Sequence, residues 1–178
     1  EDFDYDAYVQ DDDIHESSSP VNSSRTHEDI PFSMGTSFAE YLKSQIYLTK
    51  MDKPDRHIAK FVVGNIDDDG YLRRTVEELV DDLSFREGLV VEDEKMADIV
   101  EQIKQFDPIG VGAYDLQECL LIQLRRKPQT PEIEMATQII EHHFESFSRH
   151  QFNKILSRLE ISEDQLKEAT AEIIRLNP

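Results

Sequence analysis

The sequence has little cysteine, glycine or tryptophan: one Cys, six Gly and no Trp in 178 residues. The single cysteine, Cys119, cannot form an internal disulfide, which excludes a disulfide-stapled secreted domain. No apolar run approaches the roughly 20 residues of a membrane span, and none heads the chain as a signal peptide would. The cytoplasm is therefore the expected compartment. The chain is also too short for a TIM barrel or a two-domain dehydrogenase.

Basic residues are scarce. Lys and Arg number 19 against 38 Asp and Glu, so the formal net charge is −19. The negative electrostatic potential of such a chain opposes non-specific binding to nucleic acid or to an anionic membrane, and it favours basic protein surfaces as partners. Residues 1–30 alone hold ten acids and one base, together with several serines. This composition predicts an acidic low-complexity linker over residues 1–30.

After Pro31 every long apolar pattern repeats with the period of a helix, and no segment alternates for long as a strand would. The sequence therefore predicts an all-α fold of two small helical bundles joined at a glycine-containing loop. The first bundle covers residues 31–107 with four helices, and the second covers residues 108–178 with three to four. Capping boxes mark several helix starts, at Ser37–Glu40, Thr75–Glu78, Asp115–Glu118 and Ser162–Gln165.

Some boundaries follow from the same patterns. The first helix is expected from about Ser37 to Lys50, with an inner face formed by Phe38, Tyr41, Leu42 and Leu48. The fourth helix is expected to continue through Phe106 and to stop at Asp107-Pro108, because the residue before a proline avoids the helical conformation.

Asn65 to Gly70 resembles the start of a calcium loop, with acids at alternate positions and a glycine at the sixth. Position 12, which should supply a bidentate carboxylate, is Val76. A turn between helices, in which Gly70 takes a positive φ and the acids face solvent, is the preferred interpretation. We predict no metal site and no cofactor.

The sequence argues against two other functions, DNA binding and hydrolysis. Residues 156–176 have the outline of a helix-turn-helix, but the second helix carries four acids and two bases, which favours a hairpin packed in a bundle over a DNA reader. A hydrolase would need carboxylates that converge in a pocket, and no Ser-His-Asp order or phosphate-cradling glycine loop is present. The sequence indicates a binding module, with no catalytic residues and no small-molecule substrate.

One stretch differs from an ordinary loop between helices, because it combines two glycines with apolar and aromatic residues: Asp107-Pro-Ile-Gly-Val-Gly-Ala-Tyr-Asp-Leu-Gln-Glu-Cys-Leu120. It resembles the core-binding region of the bacterial sigma-54 factors, alternative sigma subunits of RNA polymerase, in which the pattern is Asp-Pro-x-Gly-Val-Gly-Ala-Arg-Asp-Leu-x-Glu-Cys-Leu. Ile66-Asp-Asp-Asp-Gly-Tyr-Leu72 is similar to the family's Ile-Asp-x-x-Gly-Tyr-Leu turn. The last residues, Leu176-Asn-Pro178, are similar to the start of its Leu-x-Pro-x-Pro-Gly. Tyr114 stands where the family usually has Arg.

The resemblance implies a transcription initiation factor fragment, an acidic linker followed by the region that docks on core RNA polymerase. It also implies that promoter DNA is contacted only by regions outside this sequence. Partner-binding or subdomain-interface residues are expected in the two motifs: Asp67, Asp68, Asp69, Gly70, Tyr71, Asp107, Pro108, Ile109, Gly110, Val111, Gly112, Tyr114, Asp115 and Glu118. From the residues alone, an acidic all-helical adaptor unrelated to polymerase remains open.

Overall fold

The computed structural model describes residues 37–178, so the predicted linker over 1–30 and the start of the first bundle at residue 31 lie outside the described residues. Within that part of the chain there are eight helices, and the nearest approach to a strand is an isolated bridge between Ile66 and Leu72. The all-α prediction is confirmed. The helices are α1 Phe38–Leu48, α2 Lys53–Val63, α3 Val76–Glu87, α4 Asp93–Ile103, α5 Leu116–Arg126, α6 Pro131–Ser148, α7 Phe152–Leu159 and α8 Glu163–Ile174.

Local signals determine most of the helix starts. At Ser37, Thr75 and Ser162 the cap hydroxyl accepts from the N–H three residues on, and the side chain at that third position returns a bond to the cap N–H. These reciprocal bonds satisfy backbone donors that have no partner within the helix. Asp115 likewise accepts from the Glu118 N–H, but Glu118 does not bond back to Asp115, so this predicted box is only half formed.

The helices pack in two groups. Helix α1 contacts α2, α2 contacts α4 and α3 contacts α4, whereas α6 contacts α5, α7 and α8. The first group encloses a core of aliphatic side chains centred on Leu42, Ile46, Leu79, Leu83 and Ile99, all fully buried. The second encloses Leu124, Ile139, Ile140 and Ile155. A division of the fold at residue 107 stays a prediction, since the two groups meet through the loop that contains it.

Two sequence expectations are wrong in detail. Leu48 is 84% exposed and Tyr41 is 38% exposed, so neither belongs to the inner face of α1; Ile46, four residues after Leu42, takes that place. Helix α4 ends at Ile103, four residues before Asp107. The chain there tightens into short turns, with Gln105 N donating to Gln102 O and Phe106 N to Ile103 O, and Phe106 enters the first core from outside the helix.

Candidate functional site

The two motifs, forty residues apart in sequence, lie side by side. The N–H of Gly112 donates to the carbonyl of Gly70 at 2.7 Å, and the N–H of Leu72 donates to the carbonyl of Ala113 at 2.9 Å. We call residues 66–72 and 107–118 together the motif site. Because buried backbone groups need partners, these two bonds fix the turn and the loop to each other. The structure thus brings the predicted site residues into one region.

The turn over residues 66–72 is organised by Asp67. Its carboxylate accepts from the Tyr71 N–H at 2.8 Å and from Arg73 Nε at 2.9 Å, while its carbonyl accepts from the Gly70 N–H at 3.0 Å. Burial raises the pKa of Asp67. The hydrogen bonds from the Tyr71 N–H and the Arg73 guanidinium lower it by more, so the pKa of Asp67 lies below its ordinary value. Asp67 is therefore occupied within the turn, whereas Asp68 and Asp69 face solvent.

Gly70 has φ +88°, as the turn interpretation predicts. The Asn65 side chain donates to the carbonyl of Phe61 at 2.8 Å, so it too serves the local backbone. Within residues 37–178 no three His, Cys, Asp or Glu side chains come together in a way that could hold a metal ion. The geometry of this segment is that of a helix-to-helix turn.

The loop over residues 107–113 depends on two glycines with positive φ. Gly110 has φ +95°, and a Cβ at this position would lie 2.8 Å from Cys119 Sγ and 3.3 Å from the Cys119 carbonyl oxygen. Gly112 has φ +78°, and a Cβ added there would make ordinary contacts with Ile103 and Ile66 at 3.6 Å. Gly110 is thus required by both space and conformation, and Gly112 by conformation alone. Val111, between them, is buried in the first core.

Helix α1 holds the start of the loop. Gln45 Nε2 donates to the Asp107 carbonyl at 2.6 Å, and the Asp107 N–H donates to Gln45 Oε1 at 2.8 Å. Tyr41 Oη donates to Asp107 Oδ2 at 2.5 Å, and this bond is the main reason that the pKa of Tyr41 is raised. The sequence marks Asp107 as a site residue but does not mark Gln45, and it places Tyr41 on the inner face of the first helix, because nothing local marks a contact across more than sixty residues.

Lys104 lies beside the motif site and is its main cationic neighbour, a role that no local pattern in the sequence predicts. Its side chain is almost fully buried, with Nζ 2.5 Å from Glu118 Oε1, 2.7 Å from Glu101 Oε1 and 4.6 Å from the centre of the Tyr114 ring. Burial lowers the pKa of Lys104. The hydrogen bonds that Lys104 donates to Glu101 and Glu118 raise it by more, so the pKa lies above its ordinary value and the ammonium form is favoured.

Glu118 and Tyr114 connect this cation to the loop. Glu118 Oε2 accepts a hydrogen bond from the Tyr114 N–H at 2.7 Å, and Glu118 Oε1 accepts one from Lys104 Nζ. The Tyr114 ring, at the position where an arginine is usual in the sigma-54 pattern, lies against the Lys104 ammonium in a cation–π contact. Burial raises the pKa of the Tyr114 hydroxyl, so the ring is neutral at physiological pH. Helix α4, the loop and α5 are joined here.

The C-terminal residues reach the same region. Gln123 on α5 donates from Nε2 to the Asn177 carbonyl at 2.7 Å and accepts from the Asn177 N–H at 3.0 Å. A small cavity of about 110 Å³ lies at this convergence, lined by residues of both motifs together with Phe38, Cys119, Asn177 and Pro178. All three sequence segments that resemble the sigma-54 family therefore border one place in the fold. Pro108 and Ile109 contribute to its rim.

Several known proteins are similar in sequence to this chain. The family model described as "Sigma-54 factor, core binding domain" matches residues 31–178. The RNA polymerase sigma-54 factor of Azotobacter vinelandii is 32% identical over 171 residues, which cover 93% of this chain and 34% of that protein. The factor of Escherichia coli strain K12 is 35% identical over 140 residues, 78% of this chain and 29% of that protein.

A third relative extends the comparison. The RNA polymerase sigma-54 factor of Shewanella violacea is 34% identical over 154 residues, which cover 85% of this chain and 31% of that protein. The chain thus spans about a third of the length of the curated relatives that it matches. Both motifs of the motif site fall inside the region that the family model matches.

Proposed function

Because the chain belongs to the sigma-54 family, we propose that residues 31–178 dock on bacterial core RNA polymerase through helical surfaces. The observation that carries this proposal is the match of the core-binding family model to the whole helical region. The net charge of −19 supports a basic protein surface as the partner and opposes direct binding of promoter DNA by this chain. We infer that the chain acts in the cytoplasm, as a transcription initiation factor and not as an enzyme.

The motif site serves this function as the connection between the two helical groups. Asp67, Gly70, Gly110, Gly112 and Glu118 have their polar groups or backbones committed to contacts within the fold. Asp68, Asp69 and Pro108 lie at the surface. Asp107 and Asp115 are exposed as well, although Asp107 also bonds to Tyr41 and Gln45 and Asp115 also caps α5. We assign the first set to fixing the relative placement of the helical groups and the second to a surface that polymerase can reach.

Polymerase binding is tested by titrating the chain against bacterial core RNA polymerase at two salt concentrations, with a housekeeping sigma factor as competitor. We expect saturable binding that the competitor displaces and that weakens at high salt, since exposed charges are screened. Absence of binding by a chain shown by circular dichroism to be helical would contradict the proposal.

The role of the loop is tested separately with Gly112→Val. A β-branched side chain at φ +78° strains the loop, and its Cβ would already lie in contact with Ile103 and Ile66 at 3.6 Å. We expect a changed small-angle scattering profile together with weaker polymerase binding. A variant with unchanged scattering and unchanged affinity would show that the loop does not set the arrangement.

A further inference from the structure

The last turn of α3 and the segment between α3 and α4 present two apolar side chains to solvent. Phe85 is 91% exposed and Val90 is 83% exposed. Phe85 follows the buried Leu83 by two residues, which places it on the opposite side of α3 from the core. Val90 stands between Leu89 and Val91, both of which pack against the first core. Neither exposed side chain contributes to the core of the chain.

The surroundings of these two side chains are strongly acidic. Residues 76–94 contain eight acids and one base, Arg86. Glu77 and Asp81 precede Phe85 by eight and four residues, so they share its exposed side of α3. Glu92, Asp93 and Glu94 follow Val90 and are exposed as well. Anionic phosphates are repelled from such a surface, and a partner must combine an apolar recess with a basic rim.

We propose that Phe85, Val90 and the acids around them, here called the acidic turn surface, dock in a basic-rimmed apolar recess of core RNA polymerase. This inference rests on the proposed function and names the surface that performs it. A few buried anchor side chains usually dominate an interface, within surrounding contacts that exclude water. Complementary charge around such an anchor favours the correct partner. The acidic turn surface uses no residue of the motif site.

Charge distinguishes the acidic turn surface from the surroundings of Leu48, whose exposure is similar to that of Phe85 and Val90. Leu48 is 84% exposed, but its neighbour Tyr47 has Lys60 Nζ 4.8 Å from its ring centre, with Lys43 one helical turn before it. That surface is basic and does not complement the same partner. Leu48 therefore provides a control of matched exposure outside the acidic turn surface.

The test is the polymerase titration repeated with substitutions in the full chain. We expect Phe85→Ala to raise the Kd at least about tenfold, as loss of an interface anchor does, and Val90→Ala to raise it less. Asp81→Lys is expected to weaken binding and to flatten its salt dependence. Leu48→Ala and Glu168→Lys, a comparable truncation and a comparable charge reversal on other exposed surfaces, should bind as the unmodified chain does. Thermal unfolding of all five variants should match that of the unmodified chain.

The outcomes separate the two proposals. If the unmodified chain does not bind polymerase, the proposed function fails. If it binds and the Phe85, Val90 and Asp81 variants bind equally well, the acidic turn surface is overturned and the proposed function stands. Equal losses for Leu48→Ala and Phe85→Ala would also overturn the inference, because affinity would then follow exposed apolar area at any position.

Discussion

The ammonium of Lys104 lies 2.5 Å from the carboxylate of Glu118, and it joins the end of the first helical group to the first helix of the second. The Lys104 side chain is 2% exposed and the Glu118 side chain is 31% exposed, so water screens the pair only from the Glu118 side. A charge pair of this kind specifies one arrangement of its neighbours, because Lys104 without its carboxylate partners would be a buried cation without compensation.

Lys104→Met should therefore destabilise the fold. Loss of the cation leaves Glu118 without a partner for one oxygen, while the methionine still fills the space of the aliphatic stem. We expect a loss of about 2–3 kcal/mol in the free energy of unfolding, less than for a fully buried pair because Glu118 is partly solvated. Urea unfolding at neutral pH measures it.

The matched control for this prediction is Lys95→Met. Lys95 Nζ lies 2.6 Å from Asp55 Oδ2, but the lysine side chain is 45% exposed. Exposed pairs contribute little, so this variant should unfold as the unmodified chain does. Equal destabilisation by both substitutions would show that burial of the Lys104 pair has no special weight.

Alkaline pH should remove the same stabilisation. The pKa of Lys104 is raised in the folded state above its ordinary value of 10.5. Its contribution is fully present below the ordinary pKa and is lost as the pH rises through the folded value, because the unfolded chain releases this proton first. Urea unfolding from about pH 9 to 12 should show the difference between the unmodified chain and Lys104→Met shrinking as the pH rises. Parallel stability curves would contradict the assignment.

Local signals explain why much of the fold could be predicted. Capping boxes at Ser37, Thr75 and Ser162 depend on residues three apart, and all three form as the sequence predicts. The two family-like motifs could be read in the same way, since each is continuous in sequence. What they do together depends on contacts between segments far apart.

Lys104 shows where sequence reasoning stops. A lysine after an amphipathic helix is usually a solvated charge, and nothing near it reveals that Glu118 and Tyr114, on the far side of a loop, enclose it. Leu48 is the opposite case, a residue that the sequence predicts to be buried and that is exposed. The apolar pattern predicts Leu48 on the inner face of the first helix, but α1 ends there and Ile46 already fills the position in the core. Both cases are decided by packing between elements.

The contacts between Gln45 and Asp107 should hold the loop in place. Gln45→Ala removes two hydrogen bonds to the Asp107 backbone, which leaves that N–H and carbonyl to water. At about 1 kcal/mol net for each bond, we expect a loss of about 1–2 kcal/mol in the free energy of unfolding. Amide hydrogen exchange over residues 107–113 should become faster, which distinguishes a loosened loop from a general loss of stability.

Gln138→Ala is the control for this pair of bonds. Gln138 is exposed on α6, in the second helical group. This substitution should leave both the stability and the exchange of residues 107–113 unchanged. Faster exchange at the loop in the control, or unchanged exchange in Gln45→Ala, would show that the bonds from Gln45 do not hold it.

Two glycines with positive φ separate the cost of conformation from the cost of space. At Gly88, with φ +67°, an added Cβ would meet no atom within 4 Å. At Gly110, with φ +95°, the same atom would lie 2.8 Å from Cys119 Sγ. Gly88→Ala should therefore cost about 1 kcal/mol for the left-handed backbone alone. Gly110→Ala should cost about 2–4 kcal/mol, because overpacking adds to that strain.

Adding Cys119→Ala to Gly110→Ala tests the spatial part directly. Removal of the sulfur opens room for the new methyl group, although the Cys119 carbonyl remains 3.3 Å away. The double variant should lose less free energy of unfolding than the sum of the two single losses, whereas Gly88→Ala combined with Cys119→Ala should be additive. Additive losses at Gly110 would mean that the backbone, and not contact with Cys119, makes glycine necessary in this loop.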